Sequence, residues 1–348
     1  MKSADKPFVR SLRGHVHARP SFWLMRQAGR YLPEYRATRA QAKGFVDLCL
    51  RPDLACEITL QPLRRYAMDA AILFSDILMV PHGLGQKLDF REGEGPVLEP
   101  VRDAAGIAKL EAGLAGFHDR IGPVYETVAR VAAGMPETTA LIGFAGAPWT
   151  VATYMVEGGT SKDFANVRLL AYRERAAFQR LIDLLVAATV AYLKRQIEAG
   201  AEAVQLFDTW AGVLPEDEYA HWVLAPATKI VAAIAAAHPE IPVIFFPKGS
   251  GTLYEKAAAI PGVSAIGLDT SVPLDYARRL QTRTTVQGNL DPLVLTAGGP
   301  ALETAARRLL EALGRGPFVF NLGHGVIPPT PPENVARLAE IIRGWRAA

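Results

Sequence analysis

Residues 22–39 read FWLMRQAGRYLPEYRATR. An apolar run of strand character, 22–27, leads into Arg26-Gln27-Ala28-Gly29-Arg30, and a helical pattern that adds Arg36 and Arg39 follows. One strand handing over to one helix is the unit from which the rest of the chain is built. Short runs rich in β-branched and aromatic residues recur at 22–27, 71–75, 140–144, 203–207, 242–246, 265–268, 284–288 and 318–321, separated by long stretches rich in Ala, Leu, Arg and Glu. Such helical stretches include 162–199 and 301–313, the second ending at Gly314 as a C′ residue. The last helix opens on Thr330-Pro331-Pro332-Glu333, with the spacing of a capping box and proline at its first position. Eight strands, each followed by helical sequence, predict one single-domain (β/α)8 TIM barrel over 1–348, with a short N-terminal extension of about 1–20.

The composition fits that reading. In 348 residues, 50% hydrophobic and 21% charged, there is enough apolar material for a sizeable core. A net charge of +3, with no basic block interleaved with aromatics, argues against nucleic acid as a partner. Cys49 and Cys56 are too few for a disulfide scaffold and are not spaced as a zinc ribbon, so they read as reduced thiols of a cytoplasmic protein. The N-terminus, MKSADKPFVRSLRG, is charged but has no apolar h-region behind it, and no signal peptide is expected. The most apolar run, 184–193, is about half a membrane span and reads as a buried helix, so no membrane is expected. Residues 83–100, punctuated by Gly and Pro, read as a hairpin excursion and a candidate lid.

In a barrel, chemistry belongs at the C-terminal ends of strands. There the sequence places Arg26 and Arg30, then Asp76, then Trp149 and Tyr154. Asp208 and Thr209 follow the fourth strand, Lys248 the fifth, Asp269 the sixth, Asn289 and Asp291 the seventh, and Gly323-His324-Gly325 the eighth. Guanidinium forks onto carboxylates, so the arginines around 26–39, with Glu34 the only acid among them, suit a ligand carrying several carboxylates. Gly29 lets the backbone come close to such a ligand. Asp76 lies in the apolar segment ILFSDILMVP; either a local N–H or an arginine satisfies it, or it awaits a cationic or N–H-rich ligand. His15-Val16-His17 precedes any apolar strand, and His82, His118, His221 and His238 show no ligand spacing, so no metal is expected. Gly158-Gly159-Thr160-Ser161 reads as the N-cap of a helix.

Seven motifs occur in order: LMRQAGRYLPEYR at 24–36, LQPLRR at 60–65, FSDIL at 74–78, GFAGAPWT at 143–150, YMVEGG at 154–159, QGNLDP at 287–292 and NLGHG at 321–325. Together they resemble the uroporphyrinogen decarboxylase family across nearly the whole chain. The resemblance implies a (β/α)8 homodimer that uses no cofactor and removes the four acetate carboxyls of uroporphyrinogen III, giving coproporphyrinogen III in heme biosynthesis. Carried over by motif, the substrate-binding segment falls on Arg26, Gln27, Ala28, Gly29 and Arg30, with Arg39 a further carboxylate-binding arginine. The family's aspartate falls on Asp76, its tyrosine on Tyr154 and its histidine on His324. Its hydroxyl residue after the fourth strand, serine in some members, is Thr209 here, and Phe22 stands where valine is commoner.

Without a cofactor as electron sink, a pyrrole ring must itself be protonated before CO2 leaves, and cationic character builds on the pyrrole nitrogens. A fixed carboxylate beside those N–H groups, in a dry site, stabilises that charge, which is the role implied for Asp76. Arginines clamp the carboxylates and place one acetate for reaction. Arg26 either donates the proton or holds the reacting carboxylate, and a water relayed through Arg30 or Tyr154 is the alternative donor. Two rival readings are a zinc methyltransferase of the wider superfamily, which needs a His/Cys thiolate site at the barrel ends, and a porphyrinogen-binding protein without turnover.

Overall fold

The computed structural model describes residues 2–91, 93 and 95–347. Among these residues ten strands form in chain order: β1 (Ser21–Phe22), β2 (Ala70–Ile72), β3 (Leu88–Arg91), β4 (Gly95–Leu98), β5 (Ala140–Gly146), β6 (Ala203–Asp208), β7 (Val243–Pro247), β8 (Val263–Gly267), β9 (Thr285–Leu290) and β10 (Phe318–Leu322). Eight of them run parallel in the order β1-β10-β9-β8-β7-β6-β5-β2. The ends meet where the Asp69 N–H donates to the Phe22 carbonyl at 3.0 Å and the Phe22 N–H donates to the Asp69 carboxylate at 2.9 Å. Arg19 braces this seam with two bonds to Asp69, at 2.7 and 2.8 Å. The expected nearly closed (β/α)8 barrel is thus formed.

Strand alternation sorts side chains into two cores. Ala70, Ala140, Ile142, Ala203, Ile244, Phe246, Ala265 and Val319 point into the barrel. Phe8, Val9 and Leu12, from the helix Pro7–Leu12, pack against that interior cluster. Part of the N-terminal extension is therefore a plug rather than a loose arm. The larger core lies between strands and helices. Many of those helices begin on proline (Pro33–Arg39, Pro52–Tyr66, Pro148–Glu157, Pro292–Ala297 and Pro332–Gly344), where the missing N–H costs nothing.

Several local expectations change. The 162–199 helix is two, Ala165–Arg173 and Arg175–Glu198, broken at Glu174. The second is long and apolar enough to cross a membrane, as is Glu216–Ala237. It lays Phe178, Leu181, Leu185, Ala188 and Tyr192 against the core at helical spacing, as a core helix does. Gly314 does end its helix, but in right-handed backbone; it is glycine because a Cβ would press on the Leu310 carbonyl and the Trp345 ring. The capping box at Thr330 does not form: Pro331 is the N-cap, and the Thr330 hydroxyl pairs with that of Thr296 instead. Gly158 closes the helix Pro148–Glu157 at φ +84° rather than opening one, and the Ser161 hydroxyl accepts from the Phe164 N–H. The 83–100 excursion is the β3–β4 hairpin. Its base is tied down, the Leu98 N–H donating to the Gly158 carbonyl and the Val101 N–H to the Met155 carbonyl, each at 2.9 Å, so that base is not free to swing as a lid.

Candidate active site

The first strand is much shorter than the 22–27 run suggests, and the reason locates the site. Trp23 still donates its N–H to the Phe320 carbonyl at 3.4 Å, but beyond it the backbone peels away because side chains take over its N–H groups. The Leu24 N–H donates to Gln27 Oε1 at 3.1 Å, and the Met25 N–H donates to Asn321 Oδ1 at 3.0 Å. Arg26 then adopts φ +59°, a left-handed conformation that costs a non-glycine residue about 1–2 kcal/mol. The strain sits at Arg26, whereas Gly29 packs close to the Arg26 carbonyl. Strain of this kind gathers where a side chain must be aimed. Here it exposes the Arg26 guanidinium at the C-terminal mouth of the barrel.

Around Arg26 the expected residues converge. Asp76 follows β2 and takes the Leu78 N–H on Oδ1 at 2.8 Å; Oδ2 has no hydrogen bond among the described residues and keeps contact with solvent. Dense surrounding protein pushes its pKa up to about 6, against the pull of the Leu78 N–H and the Arg26 charge. That residual solvent contact marks an open-topped cleft, and the upward direction follows from how little of the carboxyl is hydrated. Of the alternatives left open for Asp76, the local N–H is present, and on one oxygen only. Tyr154, on the helix Pro148–Glu157, feels both Asp76 and Arg26, and burial raises its pKa. His324 is lowered to about 4 by burial, then by the charges of Arg26 and Lys248, so it is neutral at pH 7. Trp210 packs at a tilt against Tyr154, with ring centroids 6.3 Å apart and planes at 55°.

The remaining expected residues divide. Thr209 follows β6 and is half-buried, and its hydroxyl makes no hydrogen bond among the described residues. Arg30 and Arg39 are exposed on the adjoining rim, where both charges act on the Tyr35 hydroxyl; Arg39 also lies over the Phe45 ring at 5.6 Å. Ala28 and Gly29 are half-buried in the loop. Gln27 stands apart. It is fully buried, its Oε1 holding the Leu24 N–H and its Nε2 donating to the Ala70 carbonyl at 3.2 Å, so its side chain is already spent.

Two cleft residues had been given no role: Trp210, and Lys248, which the sequence placed only at a strand end. Trp210 gave no signal in the sequence, being one aromatic in a loop. Lys248 stood directly after the fifth strand, where its place was itself the signal.

Cys49 is buried on the helix Phe45–Cys49, its thiol pushed well up by burial and then by Asp76. Cys56 lies on the helix Pro52–Tyr66. His15 and His17 precede β1, at the N-terminal side of the barrel, away from the mouth. Among the described residues no three His, Cys, Asp or Glu side chains are grouped to hold a metal ion.

Fold and mouth together define a (β/α)8 barrel protein with cationic side chains gathered around one solvent-open carboxylate at its mouth. The chain belongs to the uroporphyrinogen decarboxylase (URO-D) family, which it matches over residues 3–345. Uroporphyrinogen decarboxylase of Rhodospirillum rubrum is 58% identical over 98% of both chains. That of Paracoccus denitrificans is 53% identical over 98% of this chain and all of its own. Among solved structures, a methyltransferase from Methanosarcina mazei aligns over 96% of both chains with TM-score 0.79 at 17% identity. A B12-independent methionine synthase from Shewanella sp. W3-18-1 aligns with TM-score 0.54 at 13% identity, over 84% of this chain and 87% of its own. At those identities the likeness concerns the fold alone.

Proposed function

We propose that this chain decarboxylates the four acetate side chains of uroporphyrinogen III to coproporphyrinogen III, in heme biosynthesis. Membership of the family over nearly the full length supports the reaction. The observation that carries the residue roles is Asp76: a crowded carboxylate with one oxygen free, facing the cleft beside Arg26. Pyrrole N–H groups are the ligand such an oxygen suits. As a ring carbon is protonated and CO2 departs, the charge on that ring's nitrogen grows next to a fixed anion, and the transition state gains more than the ground state. Arg26 holds the reacting carboxylate or delivers the ring proton, directly or through water. Arg30 and Arg39 clamp carboxylates at the rim.

Tyr154, Thr209 and His324 serve as hydrogen-bond partners for the substrate. His324 does so as a neutral imidazole, with one donor and one acceptor nitrogen. The backbone of Ala28 and Gly29 lines the approach, and Gln27 shapes the loop from beneath. Cofactor independence, a homodimer, a cytoplasmic location, and the absence of nucleic-acid or membrane partners complete the reading. Anaerobic incubation with uroporphyrinogen III, followed by oxidation and chromatographic counting of carboxyl groups, tests it. Products with seven down to four carboxyls, formed without added metal or cofactor, are expected. Unchanged eight-carboxyl substrate from folded protein would refute the reading.

A further inference from the structure

Lys248 follows β7, the fifth strand of the ring counted from β1 and so across the mouth from Arg26. Its backbone is held firmly. Its N–H donates to the Asp208 carbonyl at 3.0 Å, and its own carbonyl accepts from the Gly212 N–H at 3.1 Å. The next N–H, that of Gly249, donates to Asp269 Oδ2 at 2.7 Å. Gly249 sits at φ +78°, and Gly212 packs so tightly on it that a Cβ at 212 would lie 2.3 Å from the Gly249 carbonyl oxygen. A turn fixed at this many points aims one side chain.

That side chain is half-buried, and its ammonium makes no hydrogen bond or ion pair among the described residues. The interactions it does make are weak ones: the Trp210 ring, with Nζ 5.8 Å from the centroid, and the field it shares with Arg26 at His324. The nearby acid, Asp269, is already occupied by the Gly249 N–H, the Tyr254 hydroxyl, and the N–H and hydroxyl of Ser271. A partly desolvated ammonium facing a cleft with no anion of its own is suited to an anion that arrives. Arginines on the β1 side can reach only part of a ring that carries carboxylates all round its edge.

We propose that Lys248 binds a carboxylate of the substrate on the wall opposite Arg26, completing the cationic rim. This rests on the function proposed above. As a compact point charge it accepts a carboxylate without imposing bidentate geometry, which suits a substrate whose rings must be presented in turn.

The test compares wild type, K248M and K248R anaerobically with uroporphyrinogen III. Dissociation constants come from quenching of tryptophan fluorescence, and KM and kcat from product chromatography. K248M is expected to raise Kd and KM about tenfold, the loss of one charge-assisted hydrogen bond. Its kcat should fall far less, and K248R should recover most of the KM. If K248M does not fold, K248Q carries the same comparison. A folded variant with wild-type Kd and KM overturns the proposal, as does a variant whose only defect is a lower Tm. Wild-type protein that binds substrate without releasing CO2 would overturn the decarboxylase reading while the Kd comparison still decides Lys248. Wild-type protein that does not bind would overturn both.

Discussion

Arg26 lies across Gly325: a Cβ at position 325 would stand 2.4 Å from Arg26 Cδ and 2.6 Å from Cγ. The glycine after His324 is therefore a seat for the arginine stem, connecting the end of the eighth barrel strand to the loop after the first. The same two segments are tied by the Val326 N–H, which donates to the Met25 carbonyl at 2.8 Å.

Gly325→Ala should consequently re-aim Arg26 without unfolding the protein. The clash falls on an exposed, flexible side chain that can swing away at little cost. We expect a Tm close to wild type and a KM for uroporphyrinogen III raised about tenfold, as one clamp is lost. A variant with normal KM would show that Arg26 does not need this seat.

Asp76→Asn should keep the fold, because an amide oxygen can still accept the Leu78 N–H. It should lower kcat by about 10²–10³, the usual cost of removing one group aimed at developing charge. Turnover near the wild-type rate would remove the electrostatic role assigned to Asp76.

The pH profile offers an independent check on the same carboxylate. Asp76 must be ionised to work, and its folded pKa is about 6, above the ordinary 3.8. The acid limb of kcat/KM, which reports the free enzyme, should thus fall near pH 6. In kcat the limb should move lower, because bound pyrrole N–H groups favour the charged form. His324, lowered to about 4, does not titrate in that window. His324→Gln should therefore retain the limb; its loss in that variant would assign it to the histidine instead.

How legible all this was depends on what each residue type signals. The eight strands could be read because parallel strands buried on both faces are near-continuous apolar runs, and β5 and β7 are of that kind. The first strand was misjudged for the opposite reason. FWLM at 22–25 is apolar throughout and invites a longer strand, but Gln27 and Asn321, far apart in sequence, capture the N–H groups that would have extended it. Asp76 and His324 stood out as polar residues in apolar or glycine-flanked settings, whereas Gln27 entered the site only through the motif that carries Arg26 and Arg30. Only the fold shows that its amide is consumed inside.

Gln27→Ala tests that distinction. It would leave the Leu24 N–H and the Ala70 carbonyl without their buried partner, a cost of about 2–4 kcal/mol. Urea denaturation should show the loss as a lower midpoint at unchanged slope. A variant as stable as wild type but weak in substrate binding would return Gln27 to the cleft.

Asp208 gives a prediction about stability and pH. It is fully buried at the end of β6, with Oδ1 accepting from the Thr150 hydroxyl at 2.5 Å and Oδ2 without a hydrogen-bond partner among the described residues. Burial raises its pKa to about 7, against the pull of Thr150. A carboxyl whose folded pKa lies above its unfolded value of 3.8 binds more protons folded than unfolded across that interval. Its penalty is thus absent below about pH 4 and grows until about pH 7, reaching at most about 4 kcal/mol. Asp208→Asn never acquires the charge. The stability of Asp208→Asn relative to wild type, followed by urea denaturation from pH 4 to pH 8, should therefore rise with pH, whatever fixed cost the amide brings. The Thr150 bond should survive, and with it the contact from the Trp210 N–H to the Thr150 hydroxyl at 3.0 Å that holds the turn carrying Thr209. A difference that stays flat across this range would mean that Asp208 is ionised in the folded protein, its charge compensated within the turn.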